Sequence, residues 1–442
     1  MTLPPEANQD APTAGLEEKK KFLLIIHQVH EKLLDDLDYS QIDLLQDNPQ
    51  ALRLYLYTEI EKTIKKMKIT VNEVDRERFP QAVLDEVLGF GPLEPLFKDE
   101  RITDIFINGP DSIYVEKQGK VEKYDLCFID NEHIFRLVQK VAAKSGRHLD
   151  LSTPYFDAQL PDGSRIHAII PPLAFDGIKV SIRKYSFEKL DIFSLVKGGS
   201  LDDTMANFLQ IAVKARFNIA ICGGTGSGKT TLLNSLLTAI SLGERMVTIE
   251  DTPELEPAHP HAVRLLTRIA NPEGKGAVTQ ADLMINALRM RPDRVILGEL
   301  RGAEAFNLLH AMNTGQDGTM VTLHASGSEE VVSRLLNMIL MARYALSADS
   351  VNQQIAGALD LIIYVTRLVN GARRVMTISQ VAGDKEGKVK IEDIFRFDIK
   401  KITSEELVGD FTQLQVPPTK RIYNKLVVAG LLDQYKELFE KK

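Results

Sequence analysis

Hydrophobic residues follow a helical period through the first part of the chain. Apolar positions three or four residues apart predict one helix within residues 16–38 and a second over residues 51–69. A third helical stretch covers residues 79–97. Apolar stripes of this kind usually bury against one another, so we expect a helical region over residues 16–75; a face kept for a partner is the alternative. Residues 1–15, rich in proline, alanine and polar side chains, we expect to be disordered.

Further along, apolar positions alternate with polar ones, which is the pattern of half-buried strands. Turns containing Gly, Pro and Asp separate these segments. Together with one helix near residues 131–144, they predict a compact α/β domain over residues 76–186. The segment 187–201, which contains two adjacent glycines, predicts a linker. The predicted strands are 102–108, 112–117, 121–128, 164–171 and 178–184.

In the remaining part, residues 202–442, short apolar runs alternate with helical periods. Strands that are apolar throughout are typical of parallel sheets covered on both faces. The alternation therefore predicts an α/β fold with a mostly parallel sheet, followed by a helical C-terminal extension. The predicted strands are 217–222, 246–251, 294–300 and 319–325. One predicted helix begins at residue 229, and three more span 279–290, 303–314 and 328–343.

Composition narrows the class of protein. The 442 residues carry a formal net charge of −7, which argues against a dedicated nucleic-acid binder. The two cysteines, Cys127 and Cys222, have no metal-like spacing and fit a reducing cytoplasm. The sequence has no secretory signal pattern and no apolar run of about 18 residues, so we expect no transmembrane segment.

The segment GGTGSGKT at residues 223–230 matches the phosphate-binding pattern G-x-x-x-x-G-K-[ST]. Its glycines let the backbone wrap around phosphate oxygens, and the following helix adds the positive end of its dipole. Lys229 supplies a charge to the β- and γ-phosphates, and the Thr230 hydroxyl is a ligand for Mg²⁺. ATP and Mg²⁺ are therefore the predicted cofactors. The predicted nucleotide-binding residues are Gly223, Gly224, Thr225, Gly226, Ser227, Gly228, Lys229, Thr230 and Thr231.

Three further polar residues end predicted strands of the same sheet. Glu299 follows the apolar run RVILG, Glu250 lies in TIEDTPEL, and His324 lies in TMVTLHA. Ligands bind at the carboxyl ends of parallel strands, where a carboxylate can hold or activate water near Mg²⁺. Each motif by itself is weak, because acidic strand ends and single histidines are often structural. Gly298 stands where the commonest phosphate-loop pattern has an aspartate.

The order of these motifs resembles that of the secretion and pilus ATPases, the traffic ATPase superfamily. Residues 286–315 and 161–184 resemble the CpaF/TadA branch, the motors of Tad-type pili, and the whole resemblance covers about residues 80–385. It implies a ring hexamer in which each subunit joins an N-terminal α/β domain to a C-terminal RecA-like ATPase domain. Nucleotide turnover between the two domains would rotate one against the other. One departure is Gln316, where the family often has histidine; glutamine can hydrogen-bond a γ-phosphate or water but carries no proton.

The same resemblance implies roles for single residues. Glu299 matches the Walker B glutamate, which in this family lacks a preceding aspartate. Glu250 matches the acidic residue of the Asp box, and His324 matches the histidine of the His box. Arg165 and Arg183 match arginines that reach the nucleotide phosphates, either in their own subunit or across an interface. Which of the two glutamates is the base stays open.

The predicted function is that of an ATP-hydrolysing motor that powers a Tad or type IV-like pilus, by extension or retraction. A type II or type IV secretion ATPase is the alternative within the family. Outside it, the alternatives are a RecA-like nucleic-acid translocase and a scaffold that binds ATP without hydrolysing it. We expect a homohexamer on the cytoplasmic side of the inner membrane, bound to membrane platform proteins and to no nucleic acid.

Overall fold

A computed structural model describes most of the chain. The described residues are 11–45, 47–70, 73–117, 119–185, 191–268, 270, 274–342, 346–385, 387–403 and 406–440. The chain divides into two compact units, Met1–Phe187 and Glu188–Lys442. None of the helices in the described ranges combines the length and the apolar character that a bilayer crossing demands.

The first unit opens with helices whose apolar stripes pack on one another. Val29 in the first helix, Leu56 and Ile60 in the third and Val83 in the fifth are buried in one cluster. The stripes therefore bury against each other, as expected for a helical bundle. The helices are α1 (Ala11–Asp36), α2 (Tyr39–Leu45), α3 (Pro49–Met67), α4 (Glu73–Arg76) and α5 (Phe79–Leu88), and a short 3-10 helix (Gly91–Leu93) precedes α6 (Glu94–Lys98).

Helix α1 begins earlier than predicted. It starts at Ala11, so residues 11–15 of the predicted disordered tail are helical, and residues 1–10 lie outside the described residues. Alanine is the strongest helix former, and a proline in the first turn is tolerated because the N–H it lacks would have no helical partner there.

The rest of the first unit is an antiparallel sheet of six strands with one helix, as the predicted α/β domain requires. The elements are β1 (Ile102–Gly109), β2 (Ser112–Lys117), β3 (Lys120–Lys123), α7 (Asn131–Lys144), β4 (Tyr155–Gln159), β5 (Arg165–Ile169) and β6 (Lys179–Arg183). The strand order is β3-β2-β1-β6-β5-β4. The strand predicted over residues 121–128 ends at Lys123, and Cys127 and Phe128 are buried beyond it. Strand β4 was not predicted, because Phe156 is the one buried residue among its five.

The second unit holds the predicted alternation of strands and helices. The elements are α8 (Ile192–Lys197), α9 (Asp203–Lys214), β7 (Ile219–Cys222), α10 (Lys229–Leu237), β8 (Met246–Glu250), β9 (Ala262–Leu266), α11 (Gln280–Leu288), β10 (Arg294–Leu300), α12 (Glu304–Asn313), β11 (Met320–Leu323), α13 (Ser328–Met341), α14 (Ala348–Ala358), β12 (Leu361–Arg367), β13 (Arg373–Lys385), β14 (Lys388–Ile402), β15 (Leu407–Gln413), α15 (Lys420–Val428) and α16 (Leu432–Glu440). Helix α8 lies within the predicted linker 187–201, where the Asp191 side chain caps it by accepting the Ser194 N–H at 2.7 Å.

These strands form one nine-stranded sheet in the order β15-β14-β13-β12-β7-β11-β10-β8-β9. Strands β12, β7, β11, β10, β8 and β9 run parallel. Successive residues of β7 face opposite sides, so Ile219 and Ile221 enter one hydrophobic cluster while Ala220 and Cys222 enter another. Both faces of the sheet are covered, which explains why its strands are apolar throughout. The predicted α/β, RecA-like class is confirmed.

The sequence pattern missed the antiparallel end of this sheet. Strands β13, β14 and β15 extend it by hairpins, and the predicted helical extension is limited to α15 and α16. Twelve of the fifteen residues of β14 are partly or fully exposed. They mix charged side chains with isolated apolar ones, so no helical or apolar run marked this strand.

A fully buried carboxylate ties α15 to the sheet. Asp360 has 0% of its surface exposed. Its oxygens accept hydrogen bonds from Arg421 Nε at 2.6 Å, from Lys425 Nζ at 2.7 Å and from the Asn218 N–H at 2.7 Å. A buried charge needs such partners, and removing one of them costs about 3–5 kcal/mol. Helix α15 is therefore fixed at the starts of β7 and β12.

Candidate active site

The glycine-rich loop lies between β7 and α10, as predicted. Gly226 and Gly228 have φ angles of +69° and +99°, a region that residues with a Cβ rarely adopt. With these two glycines in the left-handed conformation, the chain passes from the end of β7 to Lys229, the first residue of α10. The loop therefore presents its backbone and the amino end of a helix at the edge where the parallel strands end, here called the carboxyl edge.

Lys229 is folded back over this loop. Its Nζ donates to the carbonyl oxygens of Gly223 at 3.1 Å and Gly224 at 2.9 Å, and the residue is 8% exposed. Next to it, the Thr230 hydroxyl donates to Glu254 Oε2 at 3.2 Å. The ammonium group and the hydroxyl are thus both placed at the carboxyl edge.

Glu299 and His324 meet at the same edge. Glu299 Oε1 lies 2.8 Å from His324 Nε2, and Glu299 Oε2 accepts a hydrogen bond from Arg301 Nη2 at 2.5 Å. Burial opposes ionisation of Glu299, but the hydrogen bond and the charge of Arg301 outweigh it and lower the pKa of this carboxyl. Burial, helped by the charge of Lys229, lowers the pKa of His324. At neutral pH the pair is an ionised carboxylate beside a neutral imidazole.

Glu250 occupies a different environment. It is 2% exposed, and its Oε1 accepts the backbone N–H groups of Glu254 at 2.8 Å and Leu255 at 2.7 Å. Its Oε2 is buried with no hydrogen-bond partner among the described residues. Burial raises the pKa of Glu250 to about 7. The carboxyl group therefore holds the turn after β8, and Glu254, four residues on, contacts Thr230.

Known proteins match most of this chain. The family model "Type II/IV secretion system protein" matches residues 86–395. The chain belongs to the type II/IV secretion system protein family.

Named relatives of this secretion-system protein include "Putative conjugal transfer protein Rv3659c" of Mycobacterium tuberculosis, 39% identical over 71% of this chain and 90% of the relative. "Type IV secretion system protein VirB11" of Brucella suis is 32% identical over 62% of this chain and 83% of its own length. A solved structure, the VirB11 ATPase of Brucella suis in complex with sulphate, is 30% identical over 65% of this chain and 95% of that chain, with a TM-score of 0.36.

Three site residues of this secretion-system protein were missed by the sequence analysis. Glu254 and Arg301 stand inside the quoted motifs, so the signal was present but their contacts were not foreseen. Arg373 carries no motif. Its Nε donates to the carbonyl oxygen of Gly226 at 3.0 Å, because β12 pairs with β7 and the β12–β13 hairpin brings Arg373 back to the phosphate loop.

Gln316 lies at the other end of the sheet. It precedes β11, its Nε2 donates to the Pro292 carbonyl oxygen at 3.3 Å, and Pro292 precedes β10. Because β7, β10 and β11 run parallel, this is the amino edge, separated from Lys229 by strands about 13 Å long. Gln316 is therefore distant from the phosphate loop of its own subunit.

Arg165 and Arg183 lie in the first unit. They are register partners on the neighbouring antiparallel strands β5 and β6. Side chains opposite each other on one sheet face point the same way, so the two guanidinium groups form one basic pair. Their role at the nucleotide stays a prediction.

The second-unit residues fit the predicted cofactors by their chemistry. The carboxyl edge combines a left-handed glycine loop, an ammonium group, a hydroxyl and an ionised carboxylate, contributed by Gly226 and Gly228, Lys229, Thr230 and Glu299. Lys229 would bind the β- and γ-phosphates, and Thr230 would hold Mg²⁺, which neutralises phosphate charge when bound.

Proposed function

We propose that this chain is an ATPase whose turnover drives a pilus or secretion machine. One observation carries the proposal: Lys229, Thr230, Glu299 and His324, which are spread over 96 positions of the sequence, come together at one edge of the sheet. Each brings a group that phosphoryl transfer requires, and the reaction depends mainly on positioning and charge neutralisation.

The chemistry follows from the ionisation states. Glu299 carries a charge and is held through Oε2 by Arg301, so its other oxygen can orient or deprotonate the water that attacks the γ-phosphate. His324, neutral at physiological pH, lies with its Nε2 2.8 Å from Glu299 Oε1, an oxygen that has no hydrogen-bond partner among the described residues. Arg301 holds the other oxygen and keeps the carboxylate ionised. Glu299 is therefore the preferred base.

The motor proposal adds a ring of six subunits in which Arg165 and Arg183 contact the phosphates when the two units close. Closed rings are the common outcome of repeated head-to-tail contacts. Two observations bear on which machine the motor would serve, and they favour different candidates. The residues at 286–315 and 161–184 favour a Tad pilus, with the ring bound to a platform at the cytoplasmic side of the inner membrane. The relatives named for conjugal transfer and for VirB11 favour a type IV secretion system.

A pair of substitutions tests the ATPase proposal. Lys229→Ala removes the charge at the phosphates and should abolish both ATP binding and turnover. Glu299→Gln keeps the shape but not the charge, so it should bind ATP normally and hydrolyse it at least about a hundredfold more slowly. Steady-state phosphate release and binding of a fluorescent ATP analogue separate the two outcomes. Turnover at the wild-type rate in Lys229→Ala would refute the assignment of the loop.

A further inference from the structure

The glycine at position 298 is not required by its backbone. Gly298 lies inside strand β10, and its φ is outside the left-handed region that favours glycine. Any residue can adopt this conformation. What excludes a side chain here is space: a Cβ added at Gly298 would lie 3.0 Å from Cγ and 3.5 Å from Oε1 of Glu250. The distance to Oε1 is an ordinary van der Waals contact, but the distance to Cγ is tighter than a Cβ usually makes, so one of the two groups would have to move by a few tenths of an ångström.

Glu250 is held in place and cannot easily give way. It ends β8, which pairs in parallel with β10, and its carboxyl oxygen accepts two backbone N–H groups from the turn that follows. The residue is 2% exposed and its second oxygen has no partner among the described residues. A group this deeply buried is kept only where its contacts fix something else.

The turn that Glu250 holds is the one that reaches the phosphate loop. Glu254 N–H is bound to Glu250, and Glu254 Oε2 accepts the Thr230 hydroxyl. The Asn234 side chain fastens the same turn, donating to the Glu254 carbonyl at 3.1 Å and accepting from the Glu256 N–H at 2.9 Å. The position of Glu254 therefore depends on the carboxyl group of Glu250.

We infer that Glu250 is a positioning residue that fills, from the neighbouring strand, the space which a side chain at position 298 would need. Residue 298 is glycine because residue 250 is glutamate. The acidic group that other phosphate-loop proteins carry before the Walker B glutamate is here replaced by one on β8, which presents Glu254 to Thr230. The part of the inference that concerns Thr230 rests on the proposed function, while the packing of Glu250 against Gly298 does not.

A double-mutant cycle tests the packing. Gly298→Ala should lower the thermal midpoint of the nucleotide-free protein by about 5 °C, because a methyl group is forced into an occupied space. In a Glu250→Ala background, where Cγ is gone, Gly298→Ala should leave the thermal midpoint unchanged. In a Glu250→Gln background, where Cγ remains, it should lower the midpoint by as much as in the wild-type protein. Gly243→Ala is the matched control, since nothing lies within 4 Å of a Cβ at that exposed turn.

Either of two packing results overturns the inference. One is an unchanged midpoint for Gly298→Ala in the wild-type background, a result that needs no Glu250→Ala protein to fold. The other is an equal fall in the thermal midpoint on Gly298→Ala whether position 250 carries glutamate or alanine.

Kinetics separate positioning from catalysis. Glu250→Gln keeps the oxygen that accepts the two N–H groups, so it should retain kcat within tenfold of wild type. Glu250→Ala releases the turn and should raise the Mg²⁺ concentration for half-maximal rate at least tenfold. A loss of a hundredfold or more in kcat for Glu250→Gln, with an unchanged thermal midpoint, would make Glu250 a catalytic residue and refute the inference. If the wild-type protein hydrolyses no ATP, the proposed function fails, and the midpoints still decide the packing.

Discussion

Two glutamates end neighbouring strands of one sheet and have opposite ionisation properties. Glu299 has a lowered pKa because Arg301 binds it, whereas Glu250 has a raised pKa because it is buried beside backbone donors that do not compensate. Strands β8 and β10 are adjacent, so the difference arises over one strand spacing, about 4.8 Å. Environment, and not residue type, decides which carboxylate can act on water.

The buried carboxyl of Glu250 predicts a pH dependence of stability. Its pKa is about 7 in the folded protein against about 4.5 for an ordinary glutamate. Between these values the folded protein keeps a proton that the unfolded chain has lost, so the free energy of unfolding falls as the pH rises through this window. The fall is on the order of 3 kcal/mol and is complete above about pH 7.

Thermal midpoints of the nucleotide-free protein between about pH 5 and pH 8.5 check this prediction. The midpoint of Glu250→Gln minus that of wild type should increase with pH. Glu299→Gln is the control, since the lowered pKa of Glu299 lies below this range and the midpoint of that variant minus that of wild type should stay nearly constant with pH. A difference for Glu250→Gln that stays constant with pH would contradict a raised pKa.

At the residue scale, the sequence predicted the groups whose position follows from strand direction. Lys229 and His324 follow parallel strands and Glu299 lies near the end of one, so their meeting at one edge needed only the alternation of strands and helices. The contact of Glu254 with Thr230 depends on the course of an irregular turn, and that of Arg373 depends on a hairpin more than 140 positions away. Neither contact follows from a pattern in the neighbouring sequence.

At the scale of elements, the β12–β13 hairpin contacts the glycine-rich loop of the candidate nucleotide site. It stands beside β7, and Arg373 and Arg367 are register partners at its end. The bond from Arg373 to Gly226 restrains a loop whose glycines would otherwise leave it with many conformations. The hairpin therefore helps to hold the phosphate loop in the shape that binds.

Arg373→Ala should weaken ATP binding about tenfold, because a hydrogen bond from a charged donor contributes about 1.5–3 kcal/mol. The dissociation constant of a fluorescent ATP analogue measures the effect. Arg396→Ala is the control: this exposed arginine on β14 pairs with Asp398 and should change the constant by less than twofold. Equal constants for the two variants would contradict a role of the hairpin.

The predicted helices and buried strands were found with small shifts in their ends, because both patterns follow directly from burial. The antiparallel strands β13, β14 and β15 were not predicted. Their residues are only partly buried, and charges interrupt them, as with Lys400 and Asp410, which form an ion pair across β14 and β15. Strands of this kind are stabilised mainly by pairing with a neighbouring strand, so the sequence pattern predicts them only weakly.

At the scale of the whole molecule, the proposed motor mechanism would take charge for the phosphates from both units. Lys229 belongs to the second unit, whereas Arg165 and Arg183 belong to the first. If these arginines complete the site only on closure, turnover depends on domain movement, as a motor requires. Arg165→Ala and Arg183→Ala should then each lower kcat by about 10³-fold, the usual effect of losing an arginine finger, with little change in thermal midpoint.

Lys179→Ala is the matched control, because Lys179 is a cation on the same strand and the same sheet face as Arg183. It should keep the wild-type kcat. Mass photometry with a non-hydrolysable ATP analogue should show hexamers for all three variants, so that a loss of rate is not a loss of assembly. A normal kcat in both arginine variants would reject the closing mechanism and leave the phosphate loop assignment intact.

The buried carboxylate of Asp360 also constrains how the protein is made. Strand β7 leads into the phosphate loop, and it is fixed by Asp360 and by Lys425, which donates to the Arg216 carbonyl 209 residues earlier in the chain. A nascent chain that ends before α15 already contains every predicted nucleotide-binding residue, but burying Asp360 without its two cations would remove a large part of the marginal stability of a folded domain. We therefore expect the second unit to complete its folding only when translation has passed residue 425, and ribosome-bound fragments that end earlier to lack the proposed ATPase activity.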